Sequence, residues 1–279
     1  PLGQRLFNGA ASNDMTFSWG NQDMTLDEKL GRGLVALRTR SRDLAINNDH
    51  GRKFIRVMKT QVIGPKGITL QARAKGFDGK LDQLDNDAIE RAWKEWGRSE
   101  NCSMSGMVDW IEFQDLFSAT LAQDGEVFIR KVKGSGAGPK GFSLHQVDPN
   151  LIDPSLNEDL GGGRKIRLGI EVNAWGRPLA YYLKTGDQSI NYFLSLTGQK
   201  YDRVPANQIQ HSFVKEGPNQ TRGIPWMCAA MLRMQMLGGF EEAALVNARV
   251  GAAKVAVITT QTGEDFTGDD VDETTGDQI

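Results

Sequence analysis

Apolar residues recur along the chain with helical spacing in some stretches and strand alternation in others. After Thr25, Leu26, Leu30, Leu34, Leu37 and Leu44 form a helical stripe, and Thr25 with Glu28 has the pattern of a capping box. The polar face is assigned to Arg32, Arg38, Arg40 and Arg42, read as a solvated face or a set of intersubunit salt bridges, with phosphate binding as the alternative. Beyond a turn at Asn47-Asn48, Phe54, Ile55, Met58, Val62 and Ile63 predict a second helix that stops at Gly64-Pro65. Residues 68–72 alternate as a short strand, and residues 76–80 read as a loop. Residues 87–97 predict a helix carrying Trp93 and Trp96 as core aromatics, with Gly97 as its cap. Residues 98–106 read as a polar loop, and residues 108–123 as an amphipathic helix buried through Ile111, Leu116 and Leu121.

The period then shortens to that of strands. Residues 126–132 and 142–147 predict a hairpin around the glycine-rich tip 134–141, and Asp124-Gly125-Glu126 reads as a tight turn from helix to strand. That tip lacks Gly-Lys-Ser/Thr and precedes no helix, so a phosphate loop is disfavoured. Asp148-Pro149 and Asp153-Pro154 punctuate a turn region. Residues 166–172 and 178–184 predict a second hairpin around Asn173-Ala174-Trp175-Gly176, and residues 209–214 a further strand.

From Thr221 the pattern changes again. Pro225 suits a first helical turn, and Met227, Met231, Met234, Leu237, Phe240, Leu245, Ala248 and Ala252 follow with few charges among them. One helix over residues 225–257 would be roughly 50 Å long. Its surface is apolar on most sides, which leaves three readings: a helix buried in one large domain, two helices broken at Gly238-Gly239, or a helix shared between neighbouring copies.

Composition narrows these readings. The 279 residues are 39% hydrophobic, ample for a core in one or two domains. A net charge of −2 argues against a dedicated nucleic-acid binder but not against a protein through which DNA passes. Cys102 and Cys228 suggest no disulfide framework and fit a reducing compartment. No uncharged run reaches membrane-spanning length, because Arg233 and Glu241-Glu242 interrupt the best candidate. Residues 1–26 read as an extended arm in which Phe7, Phe17 and Trp19 are apolar anchors for docking on a neighbour or on the chain's own body. Residues 255–260 can start a strand, after which the chain is acidic through Asp277. The missing initiator methionine and the polar acidic end lead us to expect part of a longer protein.

Catalytic patterns are weak. His50, His145 and His211 lack zinc-ligand spacing, and neither a Gly-x-Ser-x-Gly elbow nor a nucleophilic cysteine context occurs. Asp82/Asp85, Asp124/Glu126 and Asp269/Asp270 are the acidic pairs available for magnesium or acid-base work, and solvated carboxylates are the simpler reading of each. We therefore expect no enzyme, cofactor or metal.

An ordered series of segments carries more information. Asp43-Leu44-Ala45-Ile46-Asn47-Asn48, Val62-Ile63-Gly64-Pro65-Lys66-Gly67-Ile68, Trp93-Lys94-Glu95-Trp96 and Asp124-Gly125-Glu126-Val127-Phe128-Ile129-Arg130 come first. Gly169-Ile170-Glu171-Val172, Pro178-Leu179-Ala180-Tyr181-Tyr182, His211-Ser212-Phe213 and Gln220-Thr221-Arg222-Gly223-Ile224-Pro225-Trp226 follow. This series resembles the lambda-type portal proteins of tailed bacteriophages, over about residues 26–254. The Gln-Thr-Arg-Gly segment before a long helix and the Asp-Gly-Glu strand start are its most specific parts.

The resemblance implies an α+β subunit: an arm (1–26), a mixed α/β wing (27–215), a stem with its long helix (216–257) and the start of a clip (258–279). A second stem helix, channel loop and crown would follow. It implies a virion protein at the portal vertex, assembled in the host cytoplasm as a ring of twelve copies that conducts double-stranded DNA during packaging and ejection. Its implied partners are the terminase large subunit, head-completion or adaptor proteins and the major capsid protein, with no membrane. Arg222, Gly223, Pro225, Trp226, Met231, Met234, Gly238, Gly239 and Leu245 would pack the stem and ring, with Gly238-Gly239 a bend or close-packing point. Arg38, Arg40, Arg42, Arg249 and Lys254 become candidates for DNA or intersubunit contact. Another ring-forming virion adaptor without DNA passage is the alternative, and a soluble α+β enzyme with an acidic site is the third.

Overall fold

In the computed structural model, which describes residues 23–185 and 200–253, helices and antiparallel sheets are mixed, as expected of an α+β chain. The chain divides into two units at Met231 and Leu232. The expectations for the arm, the clip and the strand at 255–260, together with Lys254, fall outside the described residues, apart from Asp23–Thr25 and Leu26 of the arm range.

Helix α1 (Leu26–Asn47) begins at Thr25, whose side chain and that of Glu28 form the reciprocal capping box. Its buried stripe is Leu30, Leu34, Arg38, Ser41 and Leu44. Arg38 therefore lies on the core face, a correction to its placement on the polar face. Asn48 caps α2 (Asp49–Met58), whose last turn widens into a π-helical turn (Lys59–Ile63) and ends at Gly64 with φ 69°.

The strand expected at 68–72 does not form. That segment runs extended with its amides bonded to side chains: Ile68 N–H donates to Gln114 (2.8 Å), Ala72 N–H to Glu90 (3.1 Å) and Ala74 N–H to Asn86 (2.7 Å). Helix side chains thus supply what a partner strand would have supplied.

Helix α3 (Gln83–Trp96) ends at Gly97 as expected, and the polar segment beyond it contains the single turn α4 (Ser99–Cys102). In α5 (Trp110–Asp124), Ile111 and Leu116 are exposed and Leu121 only half-buried. The buried positions are Phe113, Gln114, Ser118, Ala119, Ala122 and Asp124, correcting the expected stripe. Small residues face inward because other backbone comes close to α5, down to the hydrogen bond from Trp226 N–H to the Ala122 carbonyl. Trp93, Trp96 and Trp110 cluster with centroid spacings of 5.0 to 5.4 Å, extended by Phe113 and Phe142, but Trp93 and Trp96 are half-buried rather than core, which corrects that expectation.

Strands β1 (Glu126–Lys133), β2 (Phe142–Val147) and β8 (Ile209–Phe213) form an antiparallel sheet in the order β2-β1-β8, with the predicted first hairpin at its heart. A second antiparallel sheet runs β3 (Glu158–Gly161), β4 (Arg164–Arg167), β5 (Ile170–Val172), β6 (Pro178–Thr185) and β7 (Lys200–Pro205). The β5–β6 hairpin matches expectation, but the strand predicted at 166–172 is two strands folded at Leu168 (φ 49°) and Gly169 (φ 81°). β3 and β7 were not anticipated. The two sheets share one core, in which Phe128 and Val147 of the first meet Ile170, Val172, Tyr181, Leu183 and Val204 of the second.

The final helix is shorter at its start than expected. Residues 226–230 are turns and α6 runs Met231–Ala253, so Pro225 does not open a helix. The cause is local: Trp226 N–H is taken by Ala122 of α5, and Cys228 and Ala230 donate to Pro225 and Met227 in tight turns. At 23 residues α6 is about 34 Å long and passes through Gly238-Gly239 without a break. The two-helix reading is thereby corrected. Among the described residues no helix is long and apolar enough to cross a membrane.

A buried charge junction as the candidate functional site

The site grows from two crossing backbones. Gly125 ends α5 in the left-handed region (φ 82°) so that Glu126 can start β1 at once, as the helix-to-strand turn was expected to do. A Cβ on Gly125 would collide with the Ile224 carbonyl, and one on Gly223 with the Gly125 carbonyl. Glycine at both positions lets residues 221–225 lie directly on residues 124–126.

That contact places Arg222 over Glu126, both fully buried. Arg222 Nε and Nη2 donate to the Glu126 carboxylate at 2.7 to 2.9 Å, while Nη1 donates to the Leu168 (2.6 Å) and Ile152 (3.2 Å) carbonyls. Glu126 also accepts from Arg38 Nη2 (2.5 Å), His211 Nε2 (3.0 Å) and the Gly223 N–H (3.1 Å). Arg38 reaches Asn150 with its other terminal nitrogen (3.1 Å). His211 stacks on Phe128 at 4.1 Å between ring centroids, and the Arg222 guanidinium lies 5.4 Å from the same ring. A parallel pairing sits beside it: Arg42 grips Asp124 through two bonds (2.9 and 2.6 Å) and also Asp148 (2.7 Å). Three arginines thus meet three carboxylates, Arg38, Arg42 and Arg222 against Asp124, Glu126 and Asp148, with balanced formal charge.

The electrostatics follow from that crowding. Burial opposes the charge on Glu126, but Arg222, the His211 hydrogen bond and Arg38 outweigh it and hold the carboxyl well below the usual carboxylate range. Burial pulls the Arg38 guanidinium down to about 10, still protonated at neutral pH, with Glu126 working in the opposite direction. His211 is lowered chiefly by burial, so it is neutral at pH 7 and donates from Nε2. Hydrogen bonds to Asp124 raise Arg42.

The carboxylates of Asp124 and Glu126 are therefore engaged by arginines. Among the described residues no group of three or more His, Cys, Asp or Glu side chains is placed to hold a metal ion. What the arrangement does is mechanical: it ties α1, β1, β8 and the turns after β2 to the segment that leads into α6.

The remaining sequence-predicted residues are scattered. Gly223 and Pro225 are buried in the junction, and Trp226 is 38% exposed but held by its N–H. Met231 is buried, Met234 and Gly238 are half-buried, and Gly239, Leu245 and Arg249 are exposed. Arg38 and Arg42 have partners within the chain, and Arg40 is exposed, so the three do not act as a set. Sequence reasoning missed His211 and Asp148 as members, and read Glu126 as a turn residue or as half of a solvated acidic pair rather than as a buried partner of arginines. A signal was present, because the two most specific segments, Asp124-Gly125-Glu126 and Gln220-Thr221-Arg222-Gly223, are the two that meet here.

Known proteins resemble this chain along most of its length. Residues 12–278 match the model of the phage portal protein, lambda family. The chain belongs to this family. It is 32% identical over 254 residues to a probable portal protein of Halomonas phage phiHAP-1, covering 90% of this chain and 49% of the relative. It is 22% identical over 273 residues to portal protein B of Escherichia phage lambda, covering 89% of this chain and 48% of that protein. The chain spans about half the length of these curated relatives.

Proposed function

We propose that this chain is a subunit of a portal ring of twelve copies at one capsid vertex, through which double-stranded DNA is packaged and ejected. In this reading residues 27–215 are the wing, α6 is the first stem helix, and residues 258–279 begin the clip that meets the terminase large subunit and then head-completion proteins, with the major capsid protein around the ring.

One observation carries the reading beyond the family match. Leu232, Met236, Phe240, Val246 and Val250 of α6 are each at least 49% exposed and at 100° per residue share an arc of about 120°, while Leu237 (41% exposed) and Leu245 (67%) lie outside that arc on the other side of the helix. A single apolar stripe fits one neighbour, whereas a broad apolar face with further apolar residues on the opposite side fits a helix packed between two neighbours, as in a closed ring. Covering each such side chain is worth about 1.5 to 3 kcal/mol before the cost of association. The stem role of Met234, Gly238, Gly239 and Leu245 follows from the same packing, and Arg249 and Lys254 are candidates for the channel wall or the adjacent stem. A net charge of −2 suits a conduit that must not grip its cargo, because each phosphate neutralised by a fixed cation adds salt-dependent affinity.

Electron microscopy of the purified protein along the ring axis, with native mass measurement, tests this. Twelve-fold rings with an axial channel wide enough for duplex DNA are expected. A protein that stays monomeric at tens of micromolar overturns the reading, and rings without such a channel leave only the adaptor role.

A further inference from the structure

We infer that the Phe77 turn of one copy seats in the cavity walled by Trp93 and Trp110 of the next copy. This rests on the ring reading and names a contact within it.

The turn is the first observation. Phe77 is more exposed than any other large apolar residue among the described residues, and Leu81 and Leu84, close to it in the chain, are exposed as well. The backbone that carries it is tied tightly. Gly79 N–H donates to the Gly76 carbonyl (3.0 Å), Gly76 N–H to the Lys80 carbonyl (2.9 Å) and Lys80 N–H to the Asp78 carboxylate (3.1 Å). Gly79 closes the turn at φ 76°, a region that glycine enters without strain. A stiff tip that holds an aromatic side chain in water has the form of an interface anchor.

The cavity is the second observation. It measures about 350 Å³, within the range of binding pockets, roughly 300 to 1,000 Å³, and its apolar wall is Ile68, Leu70, Trp93, Trp110 and Ile111. Ile68 is 61% exposed and Leu70 41%, an apolar lining that calls for a cover. A phenylalanine ring brings both apolar area and favourable edge or offset contacts with the two indoles.

Charge selects how the copies meet. Between residues 75 and 87, Asp78, Asp82, Asp85 and Asp87 outnumber Lys75 and Lys80. Around the cavity Lys66, Lys94 and Arg98 outnumber Glu90 and Asp109. Opposite net charges draw the turn of one copy to the cavity of another, and like charges disfavour turn on turn or cavity on cavity. Both patches also belong to one rigid piece. Asn86 of α3 grips Ala74 at the base of the turn, accepting its N–H (2.7 Å) and donating to its carbonyl (3.2 Å), and Trp93 lies two turns further along the same helix. The step from turn to cavity is therefore fixed and repeats from copy to copy, giving the head-to-tail contact of which closed rings are made.

The substitution Phe77→p-benzoylphenylalanine keeps an aromatic tip and reports on its neighbour. Irradiating assemblies mixed from isotopically heavy and light protein should cross-link one copy to peptides of another that contain residues 66–70, 93–98 or 109–111. Rings whose cross-links fall elsewhere, stay within one copy or do not form overturn this contact and leave the ring standing. A protein that forms no rings overturns both. Phe77→Ala gives a second reading: the urea midpoint should hold, because the side chain has no cover in its own chain, while subunit association weakens by about tenfold or more. Unchanged association, or a lowered midpoint, overturns the contact.

Discussion

The Glu126 junction and helix α6 satisfy their side chains in opposite ways. In the junction every arginine and carboxylate finds its partner inside the chain, and the cluster is buried within a single copy. In α6, from Leu232 to Ala253, all residues but Met234 and Gly238 are exposed, and many of them are apolar. One region is finished by folding and the other, in the proposed ring, by association. Substitutions in the first should therefore report on stability, and those in the second on assembly with little change in the stability of the chain itself.

The largest effect is expected from Arg222→Met, which keeps the volume and removes the charge. It leaves Arg38 as the one guanidinium on Glu126, beside the neutral donors His211 and Gly223 N–H, and breaking a buried pair from one side costs about 3 to 5 kcal/mol. Urea unfolding should show this as a lowered midpoint with unchanged slope. Adding Glu126→Gln should recover part of the loss, and equal, additive losses would mean that the pair is not coupled.

Next in size is Phe240→Asp/Leu245→Asp in α6. Both side chains are about 70% exposed in the single chain, so the urea midpoint should hold while subunit association weakens, by roughly tenfold or more for each residue if both are covered by neighbours. Sedimentation at several concentrations separates the two quantities. An unchanged association constant would remove α6 from the interface.

A smaller loss, about 1 to 3 kcal/mol, is expected of Gly125→Ala, because a Cβ is strained at φ 82° and meets the Ile224 backbone. Thermal unfolding measures it.

The mildest is a pH effect through His211. Its folded pKa lies below that of an exposed imidazole, so below about pH 6.5 the unfolded chain takes up a proton that the folded one refuses. The contribution is complete above about pH 6.5 and is lost as the pH falls from there towards the folded value. His211→Gln should flatten the stability profile between pH 7 and 5.5. The depressed Glu126 pKa adds a separate loss, beginning only below about pH 4.5, which that variant should keep.

Local chemistry made much of the fold legible. The capping box at Thr25, the Asn48 turn, the Gly97 end of α3 and the β1–β2 hairpin depend on residues within a few positions of one another. Misreadings arose where distant groups replaced local ones. The stretch at 68–72 has strand alternation, but Gln114 and Glu90 took the hydrogen bonds of a partner strand. Pro225 has the chemistry of a helix start, but α5 took the next N–H. Leu168 bends a strand through a backbone region that leucine seldom occupies, which its side chain does not announce.

By itself, then, the sequence determined the α+β class, most element boundaries and, through its ordered segments, the portal family. It also showed an unusually apolar final helix. Only the tertiary structure decided that Arg38 points inward and that Glu126 is a hub, because its partners Arg38 and Arg222 lie 88 and 96 residues away. Capping and periodicity act over a few residues of chain. A buried carboxylate must instead be matched by whichever cations the fold brings within reach, and that depends on where every intervening element packs.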